Sequence, residues 1–377
     1  MTTPAPLRWV EHRPKSRLHE PRVAALVGIA LGVAFILCFG TGVLSHLIQQ
    51  PPGWFHWPSR PAGFYRISQG VHVTAGFVTI PLLLAKLWIV YPKLFEWPPV
   101  TSVVHALERL SLLPLIGGGL FMVVSGTFNV ARWYPWGFFF PIAHYWVGWI
   151  TIGSLAIHLG AKWTIVREQT GRRHLTDDLE PDRRRFIAGV AATGATVFLA
   201  VAGNTIGPLS ALAVLAQRRP GTGPQGLPVN KSARGAGVVD RAQSPDYRLV
   251  VEGRVERRLD LTLADLQALP QRTANLPIAC VEGWSSSGEW TGVPVQELLR
   301  RAGARPGATV AVESLQEGGL YRRSELNSDH AADADTLLAL RLNGEPLHLD
   351  HGFPVRLIGP NRPGVMQTKW VGRLVVS

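Results

Sequence analysis

The sequence predicts a multi-domain protein: an all-α transmembrane bundle of five helices followed by a soluble α+β domain. Three observations predict it. Five stretches within the first 216 residues are apolar over the roughly 20 residues a bilayer crossing needs. Basic residues gather beside some of these stretches and not others. The last third of the chain is an ordinary charged sequence with strand-like alternation. The 377 residues carry 38 basic and 26 acidic side chains, a formal net charge of +12. Because the excess flanks apolar runs, it marks topology, and no nucleic acid is expected as a partner. A single soluble domain and a disordered basic chain are both excluded. The two cysteines, Cys38 and Cys280, lie in different regions, which excludes a disulfide framework.

The apolar runs are 23–47, 70–91, 110–130, 142–166 and 186–216. Buried core helices imitate one such run, not five in succession. The N-terminal tail holds Arg8, Arg13, Lys15, Arg17 and Arg22, and the connection after the fourth run holds Arg167, Arg172, Arg173, Arg183, Arg184 and Arg185. The opposite loops hold only Arg60, Arg66 and Arg132, with Trp54, Trp57, Trp133, Tyr134 and Trp136 as an interfacial belt. This predicts a multi-pass protein of the cell membrane, embedded in the lipid bilayer, with a cytoplasmic N-terminus and an extracytoplasmic C-terminal domain. The expected division is a basic tail (1–22), a four-helix membrane domain (23–166), a cytoplasmic loop (167–185), a fifth helix (186–216), a Gly/Pro-rich linker (217–237) and the outer domain (238–377).

Ionisable groups within membrane spans point to function. His46, His72 and His144 fall near the outer face; His19, His105 and His158 fall toward the inner one. His144 and His158 are fourteen residues apart, so on one helix they differ by about 40° in direction and about 21 Å in height. One helix face thereby offers imidazoles at two depths, an arrangement suited to one or two b-type haems. Histidines bonding across helix interfaces are the plainer account of any single one. Lys86 is expected to snorkel to inner headgroups or to meet a haem propionate.

This histidine spacing resembles the four-helix di-haem cytochrome b subunits of formate dehydrogenases and hydrogenases, over about residues 19–166. The resemblance implies an outer haem on His72 and His144, with His46 as an alternative ligand from the first helix. It implies an inner haem on His158, partnered by His19 or by His105.

Asp182-Arg183-Arg184-Arg185-Phe186-Ile187 resembles a twin-arginine export signal, and positive charge beside any membrane helix gives the same arginines. A domain loaded with a cofactor in the cytoplasm must be exported folded, which favours the signal. Ala211-Leu212-Ala213 resembles a cleavage site, yet the fifth helix is expected to remain as an anchor.

Beyond the linker, 247–255 reads as a strand, 263–269 as a helix capped by Thr262, and 275–279 as a strand leading to a loop at Cys280. Residues 295–302 read as a helix behind Pro294. Asn343-Gly344 marks a hairpin, and 355–358 and 371–376 are further strands. A lone cysteine is usually a small buried hydrophobe. Cys280, however, precedes a Gly- and Ser-rich loop that lets a bulky ligand approach, and a single thiolate is a soft ligand for a chelated transition metal. Arg356, Arg362 and Lys369 are suited to a phosphate.

Together, Cys280-Val-Glu-Gly-Trp284, His351-Gly352-x-Pro354-x-Arg356-Leu357 and the block from Gly364 through Lys369-Trp370 closely resemble the molybdopterin domain of the sulfite oxidase family, which includes bacterial periplasmic methionine sulfoxide reductases. The resemblance spans about residues 228–377. It implies molybdenum ligation by Cys280 as the catalytic residue, and a Mo-molybdopterin cofactor held by Asn230, His351, Arg356, Thr368 and Lys369. His351 replaces an asparagine of the reductase branch. Neither an immunoglobulin-like domain nor a fused b5-type haem domain is read in the sequence. Arg322 and Arg323, beside Tyr321, are the nearest candidates for binding sulfite.

The expected function is oxygen-atom transfer on a small, sulfur-containing substrate, with electrons exchanged through haem with the quinone pool or a soluble redox partner. The alternatives are a quinone-linked cytochrome b carrying a non-catalytic docking domain, and a ligand-sensing transporter.

Overall fold

The computed structural model describes residues 18–98, 100–138, 140–170, 180–215, 218 and 221–377. Arg8, Arg13, Lys15 and Arg17 of the tail, Arg172 and Arg173 of the 167–185 loop, and Gln217 and Pro220 of the linker lie outside the described residues. Two compact units emerge. The first holds the described residues up to Val43 with Val71–Ala202 and Leu212–Leu215; the second holds Leu44–Gly70, Gly203–Ala211 and the described residues of Ala216–Ser377.

Among the described residues, five long helices run through the N-terminal half: α1 (Pro21–Gln49), α2 (Phe64–Leu94), α3 (Val103–Ala131), α4 (Phe140–Gln169) and α5 (Pro181–Ala202). All five are long and apolar enough to cross a membrane by length and composition. Ser102 caps α3 by accepting from the His105 N–H, and Arg132 ends it in a left-handed turn. The helices pack on small residues. Gly118 of α3 sits against Thr151 of α4, with no room for a methyl group between them. Large apolar side chains such as Leu113, Trp146, Ile157 and Trp163 point outward, as a lipid-facing surface requires.

The fifth apolar run extends to residue 216, but its helix stops at Ala202. It ends at Gly203 and Asn204, and the chain resumes only as a short 3₁₀ helix at Gly207–Leu212 with Pro208 in its first turn. Asn204 instead accepts from the Ser285 N–H through its carbonyl, at 2.9 Å. Apolar content overstated this helix by fourteen residues.

The second unit is α+β, with two sheets. One has the order β2-β1-β10-β5-β6, from β1 (Leu249–Gly253), β2 (Leu259–Leu261), β5 (Val310–Ser314), β6 (Arg323–Leu326) and β10 (Val371–Val376). Its β1–β10 pair is parallel and its other pairs are antiparallel. The other has the order β3-β4-β7-β8, with β9 also on β7, from β3 (Arg272–Ala279), β4 (Ser285–Pro294), β7 (Leu337–Leu342), β8 (Glu345–Pro346) and β9 (Arg356–Ile358). Short helices α6 (Ala233–Ala236), α7 (Val239–Ala242), α8 (Leu263–Ala268), α9 (Val295–Ala302) and α10 (Ser328–Ala332) connect them. Thr262 and Asp265 form a reciprocal capping box on α8. The inner face of α9, Val295, Leu298 and Ala302, joins Val251, Val312 and Leu374 in the main core. Asn343 and Gly344, both at positive φ, make the tight turn between β7 and β8.

Two sequence expectations are corrected. The glycine- and serine-rich stretch after Cys280 is not a loop throughout: residues 285–294 form β4, paired along β3 on one side and with β7 on the other. Its small residues answer to its neighbours. A methyl at Gly288 would lie 2.7 Å from Leu342 Cδ1, and one at Gly292 would run into the Leu338 carbonyl at the bulge between β4 and β7. The expected linker is also not a spacer beyond Pro224, since Leu227, Ala233 and Val238 are fully buried in the domain.

Candidate functional site

β3 delivers Cys280, and a five-residue turn returns the chain to β4. The Cys280 N–H donates to Trp284 O at 2.9 Å and the Gly283 N–H to Cys280 O at 3.0 Å. Gly283 takes a φ of 93°, which strongly favours glycine. Residues 363–364 flank this turn: Pro363 bridges Ala279, and a methyl at Gly364 would stand 3.0 Å from Ala279 O. Neither cysteine of the chain is in a disulfide.

Cys280 is packed among Leu227, Trp284 and Trp290 on one side. On the other it lines a small cleft, shared with Asn230, Trp284, His351, Arg356 and Lys369. Five of the six residues expected to hold the metal and its pterin therefore meet in one cavity. Thr368 is the exception. It precedes Lys369 on an extended stretch and spends its hydroxyl on Ser324 Oγ, 2.7 Å away, inside the domain. Arg322 and Arg323 do not line the cleft, and Arg323 is exposed beside Glu313 on the edge strand β6.

The cleft's cations are unusual in their partners. Arg356 is buried, lies 5.3 Å over the Trp290 ring, and donates through Nη1 to His351 O, while its Nε has no partner. Lys369 donates to the carbonyls of Lys231 and Asp350 at 2.6 and 2.9 Å. Neither forms an ion pair with a carboxylate among the described residues. Burial pulls the Arg356 guanidinium down to about 10, and burial followed by the Arg356 charge pulls Lys369 well below its ordinary value. The cleft is thus built for an anion. Sequence reasoning missed Arg218, which reaches Glu282 at 3.2 Å beside the cysteine turn. No local pattern marks an arginine whose partner is 64 residues away.

His351 is held neutral. Burial and the Arg356 charge lower it to about 4, and its Nε2 donates to Pro224 O at 2.8 Å. His330, likewise buried, is pushed to about 3. A histidine depressed in the fold stabilises it fully above about pH 6.5 and loses that contribution as pH falls toward the folded value. The domain should therefore lose on the order of 3 kcal/mol through His351 alone between pH 6.5 and 4. Denaturant midpoints across that range measure this, and His351→Gln should flatten the slope.

In the first unit, His72 of α2 and His144 of α4 have ring centres 6.4 Å apart. His72 Nδ1 donates to Cys38 O at 2.8 Å, and His144 Nδ1 is 3.0 Å from Ser125 Oγ. These bonds leave Nε2 of each ring as the nitrogen for another partner. The expected inner pair is not assembled. His19 turns its Nδ1 to Ile89 O at 2.8 Å and packs on Tyr91. His105 engages both nitrogens, with Thr101 and Arg109. Neither stands beside His158, whose buried Nδ1 has no hydrogen-bond partner. His46 lies in the last turn of α1.

The family described as "Oxidoreductase molybdopterin binding domain" matches residues 236–377. Residues 236–377 form a molybdopterin-binding oxidoreductase domain. The NADH nitrate reductase 1 of Arabidopsis thaliana is 31% identical over 174 residues, covering 38% of this chain and 19% of that one. The mitochondrial sulfite oxidase of Drosophila melanogaster is 31% identical over 157 residues, covering 35% of this chain and 27% of that one. A protein of Azospira oryzae named as a protein-methionine-sulfoxide reductase subunit, YedZ1, is 33% identical over 139 residues, covering 37% of this chain and 52% of that one. The chain thus spans about half the length of these relatives or less.

Proposed function

We propose that the protein is a membrane-anchored, extracytoplasmic molybdopterin-dependent oxidoreductase. It would transfer an oxygen atom to or from a small, sulfur-containing substrate and exchange electrons through b-type haem with the quinone pool. The observation that carries this reading is the position of Cys280, on a cleft whose buried Arg356 and Lys369 have no carboxylate partners. Buried cations of this kind are costly unless an anion completes them. The pterin's phosphate supplies that anion.

When bound, the molybdenum–pterin group supplies two-electron chemistry with oxygen exchange at the metal. The chain's residues do the rest. Cys280 Sγ is the protein's thiolate ligand, oriented by the backbone bonds that close the 280–284 turn. Arg356 presents a guanidinium fork to the phosphate, and Lys369 adds a point charge. Neutral His351, its Nε2 proton fixed on Pro224 O, keeps Nδ1 as an acceptor and adds no charge. Thr368 acts only behind the site, through Ser324.

One haem fits the first unit. His72 and His144, whose ring centres are 6.4 Å apart, are the residues that would hold its iron. Their Nδ1 bonds to Cys38 O and Ser125 Oγ orient the rings as metal-bound histidines require. The exposed apolar helix surfaces and the positive-inside charge support the membrane topology, with the domain outside.

Arg356→Met tests the anion-binding role. Losing one charged hydrogen-bond partner should weaken cofactor retention by about ten- to a hundredfold. Molybdenum and pterin fluorescence per purified chain would fall accordingly, and full loading of the variant would overturn the assignment.

A further inference from the structure

The loop between α1 and α2 belongs to the same compact unit as the cleft, and it is bonded there by more than chance contact. Asn361, nearly fully buried and at a φ of 53°, gives all four of its polar groups to this loop. Its N–H donates to Ala62 O (2.9 Å) and its Nδ2 to Pro58 O (2.8 Å). Its Oδ1 accepts from the Tyr65 N–H (2.7 Å) and its carbonyl from Trp57 Nε1 (2.8 Å). Two residues on, Pro363 bridges Ala279, the neighbour of Cys280.

A second connection reaches the cysteine turn directly. Tyr321 OH donates to Gln49 Oε1 (3.3 Å), and Gln49 Nε2 donates to Ser45 Oγ (3.1 Å). Ser45 Oγ is 3.1 Å from Tyr65 OH, and Tyr65 OH donates to Gln69 Oε1 (3.5 Å). Gln69 Nε2 then donates to Val281 O at 3.1 Å, the carbonyl of the residue after Cys280. The chain of bonds ends on the turn. Tyr65 and Gln69 are only 1% and 6% exposed, so the bonds do not compete with bulk water.

We propose that Tyr65 and Gln69, at the start of α2, are positioning residues for Cys280: they hold the 280–284 turn through Val281 O and thereby set the direction of the sulfur. The catalytic wall is then completed by a segment 211 residues before the cysteine. This rests on the reading of Cys280 as the metal's thiolate ligand. A carbonyl fixed by a side-chain donor restrains the backbone of the turn at Val281 and Glu282, so loss of that donor loosens the 280–284 turn that carries Cys280 without opening the core.

Gln69→Met keeps the length and removes the donor; Tyr65→Phe keeps the ring and removes the hydroxyl. Both are read in the full chain, in two states. In chain produced without molybdenum, the rate of Cys280 alkylation by iodoacetamide is followed by mass spectrometry, with Cys38 as internal reference. Gln69→Met should speed Cys280 alkylation about fivefold, the factor that one hydrogen bond represents, with Cys38 unchanged. In molybdenum-loaded chain, both variants should shift the electron-paramagnetic-resonance signal of the half-reduced metal. A merely structural role would lower the melting temperature and leave that signal in place. Unchanged alkylation and an unchanged signal in both variants would overturn the proposal. A wild-type chain that takes up no molybdenum would defeat the enzymatic reading instead, while the alkylation rates still decide the positioning role.

Discussion

Replacing Cys280 by serine should lower oxygen-atom transfer by more than about a hundredfold, the lower bound set by losing a direct metal ligand rather than an outer partner. The fold should survive. The 280–284 turn is closed by the Cys280 N–H on Trp284 O and the Gly283 N–H on Cys280 O, and neither bond uses the side chain. Serine is isosteric with cysteine but offers a hard oxygen where a soft sulfur suits the metal. Pterin should also remain, because Arg356 and Lys369 are untouched. The prediction is therefore a split between lost turnover and retained pterin fluorescence. Full turnover by the serine variant would remove Cys280 from the metal.

The second large effect concerns the imidazoles. On the proposed reading, in which both imidazoles would hold the haem iron, replacing His72 or His144 by alanine should reduce haem per chain by at least about tenfold. Quinone-linked turnover should vanish with the haem. Turnover with a soluble dye, which accepts or donates electrons at the outer domain, should persist. His158→Ala should leave the haem in place, because no second imidazole stands against His158. Reduced-minus-oxidised spectra of the three variants read this directly, and loss of half the haem in His158→Ala would restore a second centre.

Local patterns in the sequence disclosed those parts of the fold that local forces decide. Thr262 and Asp265 cap α8, Pro294 opens α9, and Asn343-Gly344 turns β7 into β8; each is settled within four residues. Elements decided by distant partners were not legible. β4 reads as loop because Ser285, Ser286, Gly288 and Gly292 carry little strand propensity, yet the close approach of β7 demands small residues there. Helix α5 stops short of its apolar run at Gly203 and Asn204, an end that hydropathy does not mark. Within the site, Cys280, Arg356 and Lys369 were legible through a turn and cations, Asn230 and His351 only through the family resemblance, and the five meet in one cleft. Thr368 was misplaced because adjacent residues on an extended chain face opposite ways. Spacing along a helix does not reveal partners across it: Ile89 O takes the Nδ1 of His19, as Cys38 O takes that of His72, and Thr101 and Arg109 meet the two nitrogens of His105. Tyr65 and Gln69 left no sequence signal, since Val281, the partner of Gln69, and Asn361, which accepts from the Tyr65 N–H, are each more than 200 residues away.

The central claim is that the cleft beside Cys280 holds a molybdenum–pterin group. Elemental analysis and oxidised-pterin fluorescence on detergent-purified full-length protein test it most directly. The account predicts about one molybdenum and one pterin per chain, both released together on denaturation. Chain produced in molybdate-replete cells that carries neither would contradict it.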